Sequence, residues 1–267
     1  MKATLITGAS GGIGEAFARR LASEGHNLFL VARSEDKLRS ICDELQNKHS
    51  ISAQFFVVDL TGHNADERVF NETAERGVEV DWLINNAGFG SMGDFFNLPL
   101  ERELEMIDLN VRCLVGLTHR YLEGMRERNR GIIINVSSAA GFQPIPFMAT
   151  YAATKSFVTS FSEAIAEENR PYGIQVLALC PGSTVTNFHA AAGMDRAMNF
   201  KGQETVEDVI ETAMRAIGTG RAKIVSGWTN WLVASAVNFF PNSIITRAMG
   251  KGMRGRFQEA PASAEKN

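Results

Sequence analysis

Seven short stretches of the chain are apolar almost without interruption: "ATLIT" (3–7), "NLFLVA" (27–32), "AQFFVVD" (53–59), "VDWLINN" (80–86), "GIIINVS" (131–137), "IQVLALC" (174–180) and "AKIVS" (222–226). A strand with one wet face alternates apolar and polar residues, whereas a strand buried on both faces does not. The pattern therefore predicts a parallel sheet covered on both sides. Between the runs, segments 12–24, 34–48, 64–77, 100–128 and 151–170 place apolar residues at the helical period. Strand and helix in alternation predict right-handed crossovers and a doubly wound α/β sheet. No linker rich in Gly, Ser or Pro interrupts the series. Residues 1–258 thus read as one domain, and the small, polar "EAPASAEKN" at 259–267 as a frayed tail. The apolar positions spread broadly around 100–128 and 151–170, which predicts a second buried face and a homodimer or homotetramer.

Composition narrows the function classes. At 45% hydrophobic and 21% charged, the 267 residues are ordinary for a globular chain, and a net charge of −3 argues against nucleic acid as the main partner. Cys42, Cys113 and Cys180 are far apart and form no disulfide framework. With no signal peptide after Lys2, they predict a cytoplasmic location. The five histidines lack metal-ligand spacing, so no metal site is expected. No apolar run reaches the roughly 18 residues of a membrane span.

The chemistry begins at "TGASGGIG", Thr7 to Gly14, between the first strand and the first helix. Gly8 permits a tight turn, Gly12 lets a pyrophosphate approach the backbone, and Gly14 lets helix and strand pack closely. The helix N-terminus adds partial positive charge. A glycine-rich connection with no ligand is the alternative. In "ATYAATKSF" (149–157), Tyr151 and Lys155 stand one helical turn apart and project from one face. A nearby ammonium lowers the pKa of a phenol, which makes the pair a candidate acid–base unit. Ordinary helices carry such pairs too, so its meaning rests on its surroundings.

The Gly-x-x-x-Gly-x-Gly spacing, "NNAG" at 85–88, "NVSS" at 135–138, Tyr151, Lys155 and "PG" at 181–182 together resemble the short-chain dehydrogenase/reductase family. The resemblance covers about residues 3–226 and implies a one-domain Rossmann-like fold using NAD(H) or NADP(H). It implies that Tyr151 is the acid–base and that Lys155 tunes it and holds the nicotinamide ribose. Ser138, rather than its neighbour Ser137, would orient the substrate oxygen, and Asn110 would hold a water behind the lysine. Cofactor contacts carried over are Gly8, Ser10, Gly12, Ile13, Gly14, Asp59, Leu60, Asn86, Ala87, Gly88, Tyr151, Lys155, Pro181, Gly182, Thr184 and Thr186. Ala32 stands where many NAD enzymes carry an acid, and Arg33 follows it, so NADP(H) is favoured. Glu35 or Asp36 reaching the ribose hydroxyl would favour NAD(H) instead.

The implied activity is reversible reduction of a ketone or aldehyde. Within that class stand 3-oxoacyl reduction and NAD-dependent alcohol oxidation; outside it stands a non-catalytic redox sensor. Loops 89–96, 140–148 and 183–204 would frame an apolar substrate, with Phe95, Phe96, Phe142, Phe147, Phe188, Met194, Met198 and Phe200 as candidates. Segment 228–257 departs from the compact end of many family members. It interleaves apolar residues with Arg247, Lys251, Arg254 and Arg256, and reads as a pocket cap, a subunit contact or a peripheral membrane contact.

Overall fold

The computed structural model describes residues 1–186, 203–237 and 239–257. The apolar runs become β1 (Lys2–Thr7), β2 (Leu28–Ala32), β3 (Ala53–Val57), β4 (Glu79–Asn85), β5 (Gly131–Val136), β6 (Ile174–Cys180) and β7 (Lys223–Val225). They pair in parallel in the order β3-β2-β1-β4-β5-β6-β7. This is the Rossmann-like α/β architecture expected from the sequence. The chain builds outward from β1 to β3, then returns and builds outward from β4 to β7. The strand order thus reverses between β1 and β4, and open sheets bind ligands at the carboxyl ends beside such a reversal.

Nine helices among the described residues complete the fold: α1 (Gly12–Ser23), α2 (Glu35–His49), α3 (Ala65–Glu75), α4 (Leu100–Ile107), α5 (Leu114–Glu127), α6 (Ala149–Asn169), α7 (Val206–Ala216), α8 (Trp228–Val237) and α9 (Asn242–Phe257). Successive strand residues point to opposite faces. Ile6, Leu30, Ile84 and Ile134 pack with α1 residues Phe17 and Leu21, α2 residues Leu38 and Leu45, and α7 residues Val209 and Ile210. Their neighbours Leu5, Phe29, Leu83 and Ile133 pack with Val69 of α3, Leu117 and Met125 of α5 and Ile165 of α6. Burying each such side chain stabilises the fold by roughly 1.5–3 kcal/mol. Two dry faces explain why the strands do not alternate.

Segment 100–128, read as one helix, is helical but not uniformly α: Asp108–Cys113 form a π turn between α4 and α5. Leu100, Leu104 and Ile107 of α4 and Phe157 of α6 are exposed, so the apolar faces expected to be covered lie bare in the single chain.

Candidate active site

The motifs gather at the carboxyl ends of the central strands. At the glycine turn after β1, Gly8 (φ +66°) and Gly12 (φ +56°) hold left-handed backbone that side chains disfavour. Gly14 sits against the Gly8 carbonyl, and a Cβ there would lie 2.5 Å from Asn86 Nδ2. Ser10 is half-buried, and Ile13 packs onto the sheet. The turn is clasped from β4. Asn86 Nδ2 donates to the carbonyls of Thr7 (2.9 Å) and Gly8 (3.2 Å), while the Thr7 hydroxyl accepts from the amides of Asn86 and Ala87, each at 3.0 Å. Thr7 was not among the sequence candidates. Its signal is its place, a hydroxyl at a strand end facing the next strand's polar turn.

A buried polar chain fixes α6 to the sheet. Asn85 Nδ2 donates to Asn135 Oδ1 (2.9 Å), and Asn135 Nδ2 donates to Ser162 Oγ (2.9 Å) on α6. Gly141 extends the docking: a Cβ there would lie 2.7–2.9 Å from the backbone of Lys155 and Ser156, so the short turn Ala139–Phe142 lies directly on α6. The register of Tyr151 and Lys155 against Ser138 is thereby set by backbone packing.

The two serines after β5 divide as alternation requires. Ser137 is buried and donates to the Lys155 carbonyl at 2.7 Å, with Thr159 Oγ1 also 2.7 Å away. Ser138 caps the Ala139–Phe142 turn, its hydroxyl accepting from the Ala140 amide at 3.1 Å, and also hydrogen-bonds Tyr151. Lys155 Nζ donates to the Val136 carbonyl at 2.8 Å and lies 5.9 Å from the centre of the Tyr151 ring. Asn110 is fully buried within the π turn. Its Nδ2 donates to the Phe89 carbonyl (3.0 Å) and Thr154 Oγ1 (3.1 Å), and its Oδ1 accepts from the Phe89 amide (3.2 Å). Gly88 lies between Asn110 and Lys155: a Cβ on it would meet Asn110 Oδ1 at 2.9 Å and Lys155 Nζ at 3.4 Å. The extra residue of a π turn re-aims side chains, and such turns concentrate at functional sites.

The electrostatics correct one expectation. Lys155 was expected to lower the phenol's pKa. Instead burial pushes Tyr151 up to about 12, with the Ser138 hydrogen bond acting in the opposite direction. Burial also pulls Lys155 down to about 8. Desolvation is the leading cause of both shifts. At neutral pH the phenol keeps its proton.

At the adenosine end, Arg33 follows β2, is 71% exposed at its side chain, and stands 3.9 Å from Asp59. Asp59 Oδ1 accepts from the amide (3.0 Å) and hydroxyl (2.9 Å) of Thr61. Those bonds, ahead of Arg33, hold its carboxyl below the usual range. Leu60 is buried beside it. Glu35, the rival for the ribose, is engaged by Arg39 at 2.6 Å.

After β6, the buried Pro181 accepts from the Ala139 amide at 2.8 Å, which brings "PG" to the Ser138 turn. Thr184 Oγ1 donates to the Gly182 carbonyl at 3.2 Å, and Thr186 lies over Gly12. Thr184 pairs with Glu204, which closes the base of loop 183–204. Glu204 Oε1 accepts from Ser226 Oγ (2.8 Å) and its Oε2 from Asn230 Nδ2 (3.1 Å), while a Cβ on Gly182 would run into the Asn230 amide. Nothing in the sequence marks this clamp between the loop base and α8. Residues 187–202, with Phe188, Met194, Met198 and Phe200, lie outside the described residues. A cavity of about 620 Å³ opens beside the turn between Gly12, Ala16, Thr186 and Val206; its lining does not include Tyr151 or Ser138.

Comparison with known proteins agrees with this arrangement. The short chain dehydrogenase family model matches residues 2–197, and the chain belongs to that family. A very-long-chain 3-oxoacyl-CoA reductase of Laccaria bicolor is 38% identical over 176 residues, 64% of this chain and 52% of the relative. The chain thus spans about half the length of that relative. A solved 7beta-hydroxysteroid dehydrogenase superposes with a TM-score of 0.84 at 26% identity, covering 93% of this chain and 96% of the other. A short-chain dehydrogenase from Sphingobium yanoikuyae, solved with NADPH, superposes with a TM-score of 0.79 at 28% identity over the full length of both.

Proposed function

We propose that the protein is an NADPH-dependent oxidoreductase that reduces a carbonyl on a bulky apolar substrate, reversibly. The observation that carries the reading is the meeting of Ser138, Tyr151, Lys155 and Asn110 at one strand end. A cofactor-binding sensor has no need of a buried phenol bonded to a serine beside a buried lysine.

The cofactor fits the residues present. Gly8 and Gly14 let the turn close on Asn86, open space stands where a Cβ on Gly11 would be, and the turn leads into the N-terminus of α1, an arrangement suited to a pyrophosphate. Lys155 would hold the ribose, Pro181, Gly182, Thr184 and Thr186 would border the nicotinamide, and Arg33 would take the 2′-phosphate. When bound, NADPH supplies the hydride. Ser138 orients the carbonyl oxygen and donates to it as negative charge develops. Tyr151 gives that oxygen its proton, since a phenol raised by burial reaches neutral pH protonated. Lys155, near 8, is poised to pass a proton back towards Tyr151, and Asn110 fixes the Phe89 backbone behind it.

The apolar preference rests on Phe89, Met106, Met148 and Tyr151, which cluster with Met92 and Ile145 beside the site. The named relatives fit it, since a 3-oxoacyl-CoA and a hydroxysteroid both carry the reacting oxygen on a large apolar skeleton. The test is NADPH oxidation against long-chain 3-oxoacyl thioesters, steroid ketones and short ketones, repeated with NADH. Turnover of a bulky ketone with NADPH supports the reading; activity confined to short ketones removes the substrate class, and a preference for NADH removes the cofactor.

A further inference from the structure

Segment 228–257 contains Arg247, Lys251, Arg254 and Arg256 and no Asp or Glu, in a chain whose net charge is −3. Along α8 and the turn after it, Trp228, Trp231, Leu232, Val233, Phe239 and Phe240 are exposed, Trp228 at 74% and Phe239 at 85%. Trp228, Trp231 and Leu232 stand at i, i+3 and i+4, on one side of α8, and an exposed apolar helix side marks an interaction surface. The surface lies against the candidate site. Phe257 stacks on Phe147 at 5.1 Å, Gly250 sits against Pro146, and Gln143 Nε2 is 3.9 Å from Met249 Sδ. These contacts hold α9 on the loop that leads into Tyr151. The Gly93 amide donates to the Phe147 carbonyl at 2.8 Å, which brings the turn of Phe95 and Phe96, the latter 93% exposed, to the same loop.

We propose that this face docks on an anionic lipid surface, with the aromatic side chains of α8 at the boundary of headgroup and acyl chain and the cations of α9 against lipid phosphates. Three observations favour that occupant. Tryptophan and phenylalanine interleaved with Lys and Arg are the chemistry of interfacial helices. A segment with cations and no acids complements anionic headgroups, whereas two copies apposed through it would set like charges against each other. The exposed aromatics lie along a short helix of ten residues, Trp228–Val237, a length that suits contact with a lipid surface. The proposal goes beyond carbonyl reduction, and its binding readout needs no turnover.

The test is flotation of the full chain with phosphatidylcholine vesicles, with and without phosphatidylserine, together with quenching of tryptophan emission by bromine-labelled acyl chains. The expected result is flotation with anionic vesicles, weakened by salt, with quenched emission. Lys251→Gln with Arg254→Gln, and separately Trp228→Ala with Trp231→Ala, should each lower partitioning about tenfold at an unchanged urea midpoint. Protein that stays in the bulk at every lipid composition, or binding that neither pair of substitutions weakens, overturns the proposal. So does a dimer in solution that Trp228→Ala with Trp231→Ala dissociates while vesicles bind nothing.

Discussion

Lys155 carries its charge in a buried site, and that sets a pH signature. Its pKa falls from 10.5 to about 8 on folding. Below about 8 both states hold the proton, and the folded chain bears the full cost of a buried cation. Between about 8 and 10.5 the unfolded chain binds a proton that the folded chain does not, so stability gains as pH rises through that window. Lys155→Met should therefore be relatively most stabilising near pH 7, and about 2 kcal/mol of that advantage should be gone by pH 9.5. Urea midpoints of both proteins at the two pH values check this; a difference independent of pH contradicts it. Arg33 gives a second prediction. A charge-assisted hydrogen bond contributes roughly 1.5–3 kcal/mol, and solvent around so exposed a side chain puts Arg33 at the low end. Arg33→Ala should lower kcat/KM with NADPH about tenfold and leave NADH nearly untouched. Unchanged preference would promote the NAD(H) alternative. These residues were legible in the sequence because the side chain itself is the chemistry. The direction of the Tyr151 shift was not, because it depends on how dry the site is, and dryness is a property of the packed chain.

Elements decide whether those residues meet. The period-3.6 pattern identifies 100–128 as helical but has no means of placing a π turn, because one added residue barely disturbs the period. Yet that turn holds the buried Asn110 against Phe89 and Thr154. The glycine spacing was readable, since left-handed backbone demands glycine, but the Thr7 clasp was not, because its partners lie 77 to 80 residues away. The same holds for Glu204, which reads as an ordinary surface acid until Ser226 and Asn230 close on it. Glu204→Ala leaves both donors without that acceptor and should cost about 1–2 kcal/mol. Because Asn230 packs on Gly182, it should also weaken NADPH binding severalfold, with Glu204→Gln intermediate. Calorimetric titration with NADPH checks this. Unchanged affinity would mean that the Thr184–Glu204 backbone pairing alone holds the loop base.

At the scale of the molecule, doubly buried strands in alternation with helices determine one parallel sheet, and the reversal between β1 and β4 puts the cofactor turn, "NNAG", Ser138 and "PG" along one edge. That much follows from strand order and apolar pattern. Which faces remain bare does not, since apolar content does not decide burial: the helix that exposes Trp228 and Trp231 is more apolar than α1 or α2, which pack on the sheet. The central claim is that this edge is a reductase site with Tyr151 as the proton donor. The most direct measurement is NADPH oxidation by wild type and Tyr151→Phe on one bulky ketone, with NADPH affinity measured in parallel by fluorescence. Removing a group that acts as general acid should cost at least 10²–10⁴-fold in kcat. The account predicts that loss with NADPH affinity within about twofold of wild type, because the phenyl ring keeps the packing. Near wild-type turnover in Tyr151→Phe, with NADPH still bound, would contradict it.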